Sequence, residues 1–304
     1  MTRDETEGPS RDARGAGAGG PPGPAVLYVP AGSPRALGRL ATLDADALIL
    51  DLEDAVAPGA KAEAREALRE TVRAGRPSRP FAVRVNGLGT PHFAEDLLAA
   101  RAILPDAIVV PKVGSPDDLA AVALALDETD APPSLRLWAM IETPRGILAA
   151  DAIAASGGRL AALVAGTNDL VAATGVSVAA GRRHLHPWLM TIVLAARAHG
   201  LVALDGVCNV WDDPALGAEA TEGATMGFDG KTLIHPAQVA PTRAAFAPGA
   251  DELASARAVV AAFAGVGDEV GVLTVDGRMV ERLHLHAAHR TLARAGRAVE
   301  ASAE

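Results

Sequence analysis

Short apolar runs rich in Ala, Val, Ile and Leu recur along the chain at 26–30, 47–52, 81–85, 107–111, 137–142, 163–165, 201–205 and 224–228. Most are continuous rather than alternating, the pattern of parallel strands covered on both faces. Between them lie Ala/Leu/Arg/Glu-rich stretches with helical spacing, at 35–43, 61–74, 116–126 and 187–199. Helix-start signals precede two such stretches: Ser33 before Pro34, and Ser115 before Pro116 with Asp118 in the first turn. Eight strands alternating with helices predict a (β/α)8 TIM barrel in preference to a doubly wound sheet. The chain beyond Pro236 exceeds one closing helix; it reads as a helix at 251–264, a hairpin or loop at 271–278 and a terminal helix at 281–298. The expected organisation is a disordered tail over 1–24, a catalytic barrel over 25–245 and a C-terminal helical extension over 246–304.

The bulk numbers narrow the partners. A chain of 304 residues that is 49% hydrophobic can bury one large core. The balance of 28 Lys and Arg against 37 Asp and Glu, a net charge of −9, creates no general field for a polyanion, so nucleic acid is not an expected partner. Cys208 is the single cysteine, which excludes an intramolecular disulfide and a cysteine zinc site and fits a reduced, cytoplasmic setting. The Gly/Pro-rich start has no apolar signal-peptide core. The most apolar window, 160–180, is interrupted by Gly166, Asn168, Asp169 and Gly175, so no membrane span is expected.

Barrel enzymes carry their chemistry on the loops that follow the strands. Reactive side chains gather there: Asp51, Glu53 and Asp54 after the second strand, Arg84 and Asn86 at the third, Lys112 after the fourth, Glu142 after the fifth, Asp169 after the sixth and Asp205 after the seventh. Glu142 and Asp169 end adjacent strands, so two carboxylates can converge on a hard cation such as Mg²⁺, or Mn²⁺. The alternative for both is a helix-start role. Arg84 sits within an apolar strand, where a guanidinium needs an anionic partner. That partner is either a substrate carboxylate held through two parallel hydrogen bonds or an internal carboxylate of Glu53 or Asp54. Asp51, Glu53 and Asp54 can orient Arg84 or hold metal-bound water. His235 before Pro236 reads as a helix-start histidine, and His284, His286 and His289 as surface histidines.

Together LYVP at 27–30, ALILDLEDAV at 47–56, VRVNG at 83–87, VPK at 110–112, IETPRG at 141–146, GTNDL at 166–170 and GKTLIHPAQ at 230–238 resemble the citrate lyase β-subunit-like branch of the HpcH/HpaI aldolase family. The resemblance runs over about residues 26–283, in order and at barrel spacing. It implies a barrel that assembles as a homotrimer or hexamer, uses Mg²⁺ and acts on a CoA thioester with a small oxo-acid such as glyoxylate or pyruvate, or an acetate-derived fragment. By position in these motifs it implies Glu142 and Asp169 as metal ligands, Arg84 as the holder of the oxo-acid carboxylate, and Glu53 and Asp54 as the acidic pair near the metal waters. Two positions depart from the pattern. Glu281, in Gly-Arg-Met-Val-Glu, stands where CoA-using members carry an aspartate that reaches a neighbouring subunit's site as acid/base, and Pro24-Ala25 replace a usual Arg-Ser.

The implied activity is a Mg²⁺-dependent carbon–carbon lyase, or the reverse condensation, on a 3-hydroxyacyl-CoA such as malyl-, citramalyl- or citryl-CoA, with Arg84 and Glu281 catalytic. Two other readings accompany it. One is a pyruvate aldolase of the HpaI type acting on free hydroxy-keto acids; the other is a non-catalytic subunit of a lyase complex.

Overall fold

A computed structural model of the chain describes residues 22–178, 181–210, 214–267 and 269–303. Parallel strands β1 (Ala25–Pro30), β2 (Ala47–Asp51), β3 (Phe81–Arg84), β4 (Ala107–Val110), β5 (Arg136–Ile141), β6 (Leu160–Ala165), β7 (Val202–Asp205) and β8 (Gly230–Leu233) close in chain order into a barrel, β1 pairing with both β2 and β8. The connecting helices are α1 (Pro34–Leu37), α2 (Lys61–Ala74), α3 (Phe93–Ile103), α4 (Pro116–Glu128), α5 (Pro144–Leu148), α6 (Ala150–Ala155), α7 (Thr167–Thr174), α8 (His186–Ala198), α9 (Pro214–Met226) and α10 (Val239–Phe246). The architecture is the expected (β/α)8 barrel. Of the expected tail, residues 1–21 lie outside the described residues; Pro24 already joins the barrel, its carbonyl accepting from Lys231 N at 2.8 Å.

The strands close because every second side chain points into one apolar interior. Val26, Ile49, Ala82, Val109, Met140, Val164 and Leu204 form that cluster, each large aliphatic contributing roughly 1.5–3 kcal/mol on burial. The helices cover the other face, as α2 does with Ala64, Leu68 and Val72, spaced four apart. Ser33 accepts from Ala36 N at the start of α1, and Ser115 with Asp118 forms a full capping box on α4.

Two elements differ from expectation. The stretch 35–43 is not one helix: α1 stops at Leu37, Gly38 follows, and a separate 3-10 turn covers Leu40–Thr42. Glycine's low helix propensity interrupts the run. The apolar stretch 224–228 is not the eighth strand. Its first residues end α9, Gly227 turns the chain at φ 96°, and the strand is Gly230–Leu233. A five-residue apolar run fits a buried helix end as well as a strand, and the charge of Lys231 disguised the true one.

The described chain divides into two compact units between Thr242 and Arg243. In the second, helix α11 (Ala250–Ala264) and helix α12 (Arg282–Ala303) flank an antiparallel hairpin of β9 (Val272–Val275) and β10 (Arg278–Glu281). Asp276 and Gly277 make the turn at φ 51° and 74°, the left-handed pair that a two-residue hairpin loop requires. Ala256, Val259, Phe263, Val280 and Ala288 form this unit's own core. Among the described residues no helix is long and apolar enough to cross a membrane.

Candidate active site

The pairing of β2 with β3 sets Asp51 directly opposite Arg84, and strand alternation turns both inward beside Ile49 and Ala82. Arg84 Nε and Nη2 donate to the two carboxylate oxygens of Asp51, each at 2.7 Å. The Tyr28 ring, from β1, lies 4.8 Å from the guanidinium carbon. The two-point edge that the sequence reading offered to a substrate carboxylate is therefore engaged by Asp51. Nη1 is the remaining edge, 3.1 Å from Glu53 Oε2 and 3.8 Å from Asp54 Oδ2. Glu53 Oε2 is ion-paired by distance yet buried without a hydrogen-bond partner.

The Asp51–Asp54 turn is stapled from several sides. Asp51 accepts from Glu53 N at 2.9 Å and Ala55 N at 3.3 Å. Lys61 Nζ, at the start of α2, donates to the carbonyls of Leu52 at 2.8 Å and Glu53 at 2.6 Å. Asn86 donates to Leu52 O at 2.9 Å. The sequence reading missed Lys61: on a charged amphipathic helix it resembles any surface lysine, yet it is 5% exposed.

Glu142 follows β5 and shares the inward side of Trp138 and Met140. Its Oε1 accepts from Lys112 N at 2.8 Å. Thr143, not Glu142, caps α5, and Gly166, not Asp169, holds the cap position of α7, so neither carboxylate serves as a helix cap. A Cβ at Gly166 would collide with the Glu142 side chain; the glycine lets the sixth-strand loop lie against that carboxylate. Burial, then the nearby charges of Asp169 and Glu53, push Glu142 up to about 7. Burial likewise raises Glu53, against the opposing pull of Arg84 and Lys112.

Lys112 ties these groups together, a role that nothing in the sequence marks beyond its place at a strand end. It adopts φ 55°, an uncommon conformation for a side-chain-bearing residue that costs on the order of 1 kcal/mol and recurs at functional sites. Its Nζ lies 3.0 Å from Glu53 Oε1 and 3.8 Å from Asp169 Oδ1. A cavity of about 480 Å³ opens beside this cluster, lined by Glu53, Asp54, Lys61, Asn86, His92 and Lys112 among others.

The donor set fits Mg²⁺. All the candidate donors are carboxylate oxygens, which suit a hard cation. Burial and acidic neighbours disfavour the charged form of Glu142, which a cation would relieve, and Glu53 Oε2 is a buried oxygen with an ion pair but no hydrogen bond. Among the described residues no three His, Cys, Asp or Glu side chains are grouped so that they could hold a metal ion; a site of two carboxylates would leave room for substrate oxygens and water.

The other candidates have partners of their own. His235 caps a short turn, its Nδ1 accepting from Ala237 N at 3.2 Å, as expected of a helix-start histidine. His284 accepts from Glu281 N at 2.9 Å, while His286 and His289 are exposed. Asp205 lies behind the barrel wall with Lys231 and Arg182. Glu281 ends β10 in the second unit, whereas Arg84, Glu53, Asp54, Glu142 and Asp169 all belong to the first.

A (β/α)8 barrel with acidic strand ends gathered around one lysine and a buried arginine is the arrangement of a barrel enzyme that carries its site at the strand ends. The HpcH/HpaI aldolase/citrate lyase family matches residues 24–236, and the chain belongs to it. The chain is 45% identical over 273 residues to a (3S)-malyl-CoA thioesterase of Cereibacter sphaeroides, covering 89% of this chain and 93% of the relative. It is 33% identical to an L-malyl-CoA/β-methylmalyl-CoA lyase of the same species, over 84% of this chain and 89% of that one. The crystal structure of CitE from Mycobacterium tuberculosis in complex with magnesium, acetoacetate and coenzyme A superposes with a TM-score of 0.76 at 36% identity, covering 91% of this chain and 99% of that one.

Proposed function

We propose that this protein is a Mg²⁺-dependent enzyme acting on a 3-hydroxyacyl-CoA of the malyl-CoA type, and that its principal reaction is hydrolysis of the thioester. The observation that carries the reading is the gathering of Glu53, Glu142 and Asp169 around Lys112 at the barrel mouth, in a chain 45% identical to a (3S)-malyl-CoA thioesterase. Glu142 and Asp169 would hold the metal, which when bound supplies positive charge for the oxyanions of the substrate. Arg84, locked by Asp51, presents Nη1 and the positive field of a guanidinium to the substrate's carboxylate end. In hydrolysis a water oxygen bonds to the thioester carbonyl carbon, the carbon–sulfur bond breaks, and the CoA thiolate takes a proton.

Carbon–carbon cleavage is the second reading, favoured by the malyl-CoA lyase relative. There the 3-hydroxyl loses its proton, the C2–C3 bond breaks, and the enolate carbon must gain a proton from an acid. Glu281, crossing from a neighbouring subunit of a trimer or hexamer, is the candidate for that acid. The similarity to proteins named for CoA esters weighs against an aldolase of free hydroxy-keto acids, and the full set of acidic groups weighs against a non-catalytic subunit. A screen of malyl-, citramalyl- and citryl-CoA with Mg²⁺, following loss of each ester by chromatography, tests the substrate class. Malyl-CoA should be consumed fastest; consumption of none of the three, with turnover of a free hydroxy-keto acid instead, would replace this reading with the aldolase.

A further inference from the structure

Lys112 faces two ways at once. Its backbone N–H donates to Glu142 at 2.8 Å, while its ammonium hydrogen-bonds Glu53 at 3.0 Å and stands 3.8 Å from Asp169. The Glu53 side chain is 7% exposed and that of Lys112 47%, so the ammonium reaches the acidic cluster from the side where the cavity opens. One of its three donors serves Glu53; the contact with Asp169 is too long for a hydrogen bond.

We propose that Lys112 is a built-in counter-ion of the metal site, which steadies the carboxylates in the metal-free protein and gives up Asp169 when a divalent ion arrives. The inference rests on the metal reading above. Three carboxylates brought together in a part-buried site repel one another unless a cation stands among them. The half-exposed ammonium is a weak competitor, because solvent screens it and its bond to Glu53 holds it off Asp169. Once displaced, it remains tethered at Glu53 with free donors toward the cavity, where an anionic oxygen of the substrate would meet it. Lys112 is thus a positioning residue for the metal and a determinant of selectivity for an anionic acyl group.

The test is Mn²⁺ binding to the full chain without substrate, followed by calorimetry. Lys112→Met should bind Mn²⁺ about threefold tighter, the competitor being gone, and Lys112→Arg should stay within about twofold of wild type. Unchanged or weaker binding by a folded Lys112→Met would overturn the proposal. If that variant does not fold, the wild-type protein decides: after ¹³C reductive methylation, the Lys112 resonance, assigned by its loss in Lys112→Arg, should shift on saturation with Mg²⁺, and a resonance that stays put overturns the idea. Failure of the metal reading is separable, because Glu142→Gln would then bind Mn²⁺ as wild type does.

Discussion

At the scale of single residues, Arg84 shows how one side chain's surroundings set its chemistry. Its guanidinium spans both oxygens of Asp51 at 2.7 Å, and its third nitrogen lies 3.1 Å from Glu53. A lysine keeps the charge and loses the fork. Arg84→Lys should therefore lower kcat/KM by roughly a hundredfold, since displacements of about 1 Å near reacting atoms have that effect, and it should destabilise the fold by about 3 kcal/mol through the half-broken buried pair. Steady-state kinetics with urea unfolding checks both; wild-type KM and stability would remove Arg84 from the site and from the core. Arg84, Glu142 and Asp169 were legible in the sequence because strand ends locate them without knowledge of any contact. The place of Lys112 was legible by the same rule, but its contacts were not, and neither was Lys61. Their partners are backbone groups and carboxylates positioned by a left-handed turn and a helix start, neither of which leaves a trace in residue spacing.

At the scale of elements, the misread eighth strand and a buried ion network share a cause. Lys231, fully buried in β8, donates to Asp205 at 3.1 Å, to Gly206 O at 2.5 Å and to Glu219 at 2.7 Å. Arg182 completes the pair on Asp205 at 2.6 Å. A Cβ at Gly223 would fall 2.5 Å from Asp205 Oδ2, so the glycine lets α9 close over the network. The charge that argues against a strand in the sequence is neutralised by groups distant along the chain. Burial would raise the Asp205 carboxyl, but Lys231 and Arg182 outweigh it and hold it below its ordinary value of 3.8. A carboxyl depressed in the folded state contributes stability above its unfolded value, and that contribution is lost as pH falls through the folded one. Asp205→Asn should cost roughly 3 kcal/mol near neutrality. In urea unfolding, the gap between wild type and variant should hold above pH 3.8 and narrow below it; a gap independent of pH would mean that the pair adds no charge-dependent stability.

At the scale of the whole molecule, the barrel unit carries Glu142 and Asp169, and Glu281 belongs to the second unit. Barrel topology was legible from periodicity, and the stretch 271–278 reads in the sequence as either a hairpin or a loop, whereas assembly depends on surface complementarity that no periodicity encodes. If Glu281 serves a neighbouring subunit, Glu281→Ala should lose carbon–carbon cleavage while keeping Mn²⁺ affinity, and mixing it with Glu142→Gln should restore part of the activity in mixed oligomers. No recovery on mixing, with both variants folded and assembled, would place Glu281 outside the shared site. The central claim is tested most directly by incubating the protein with (3S)-malyl-CoA and Mg²⁺ and separating the products, alongside a chelated sample and Glu142→Gln. The account predicts malate and free CoA in equal amounts, with both controls inactive. Intact ester in the presence of Mg²⁺, or hydrolysis that survives chelation and the Glu142→Gln substitution, would contradict it.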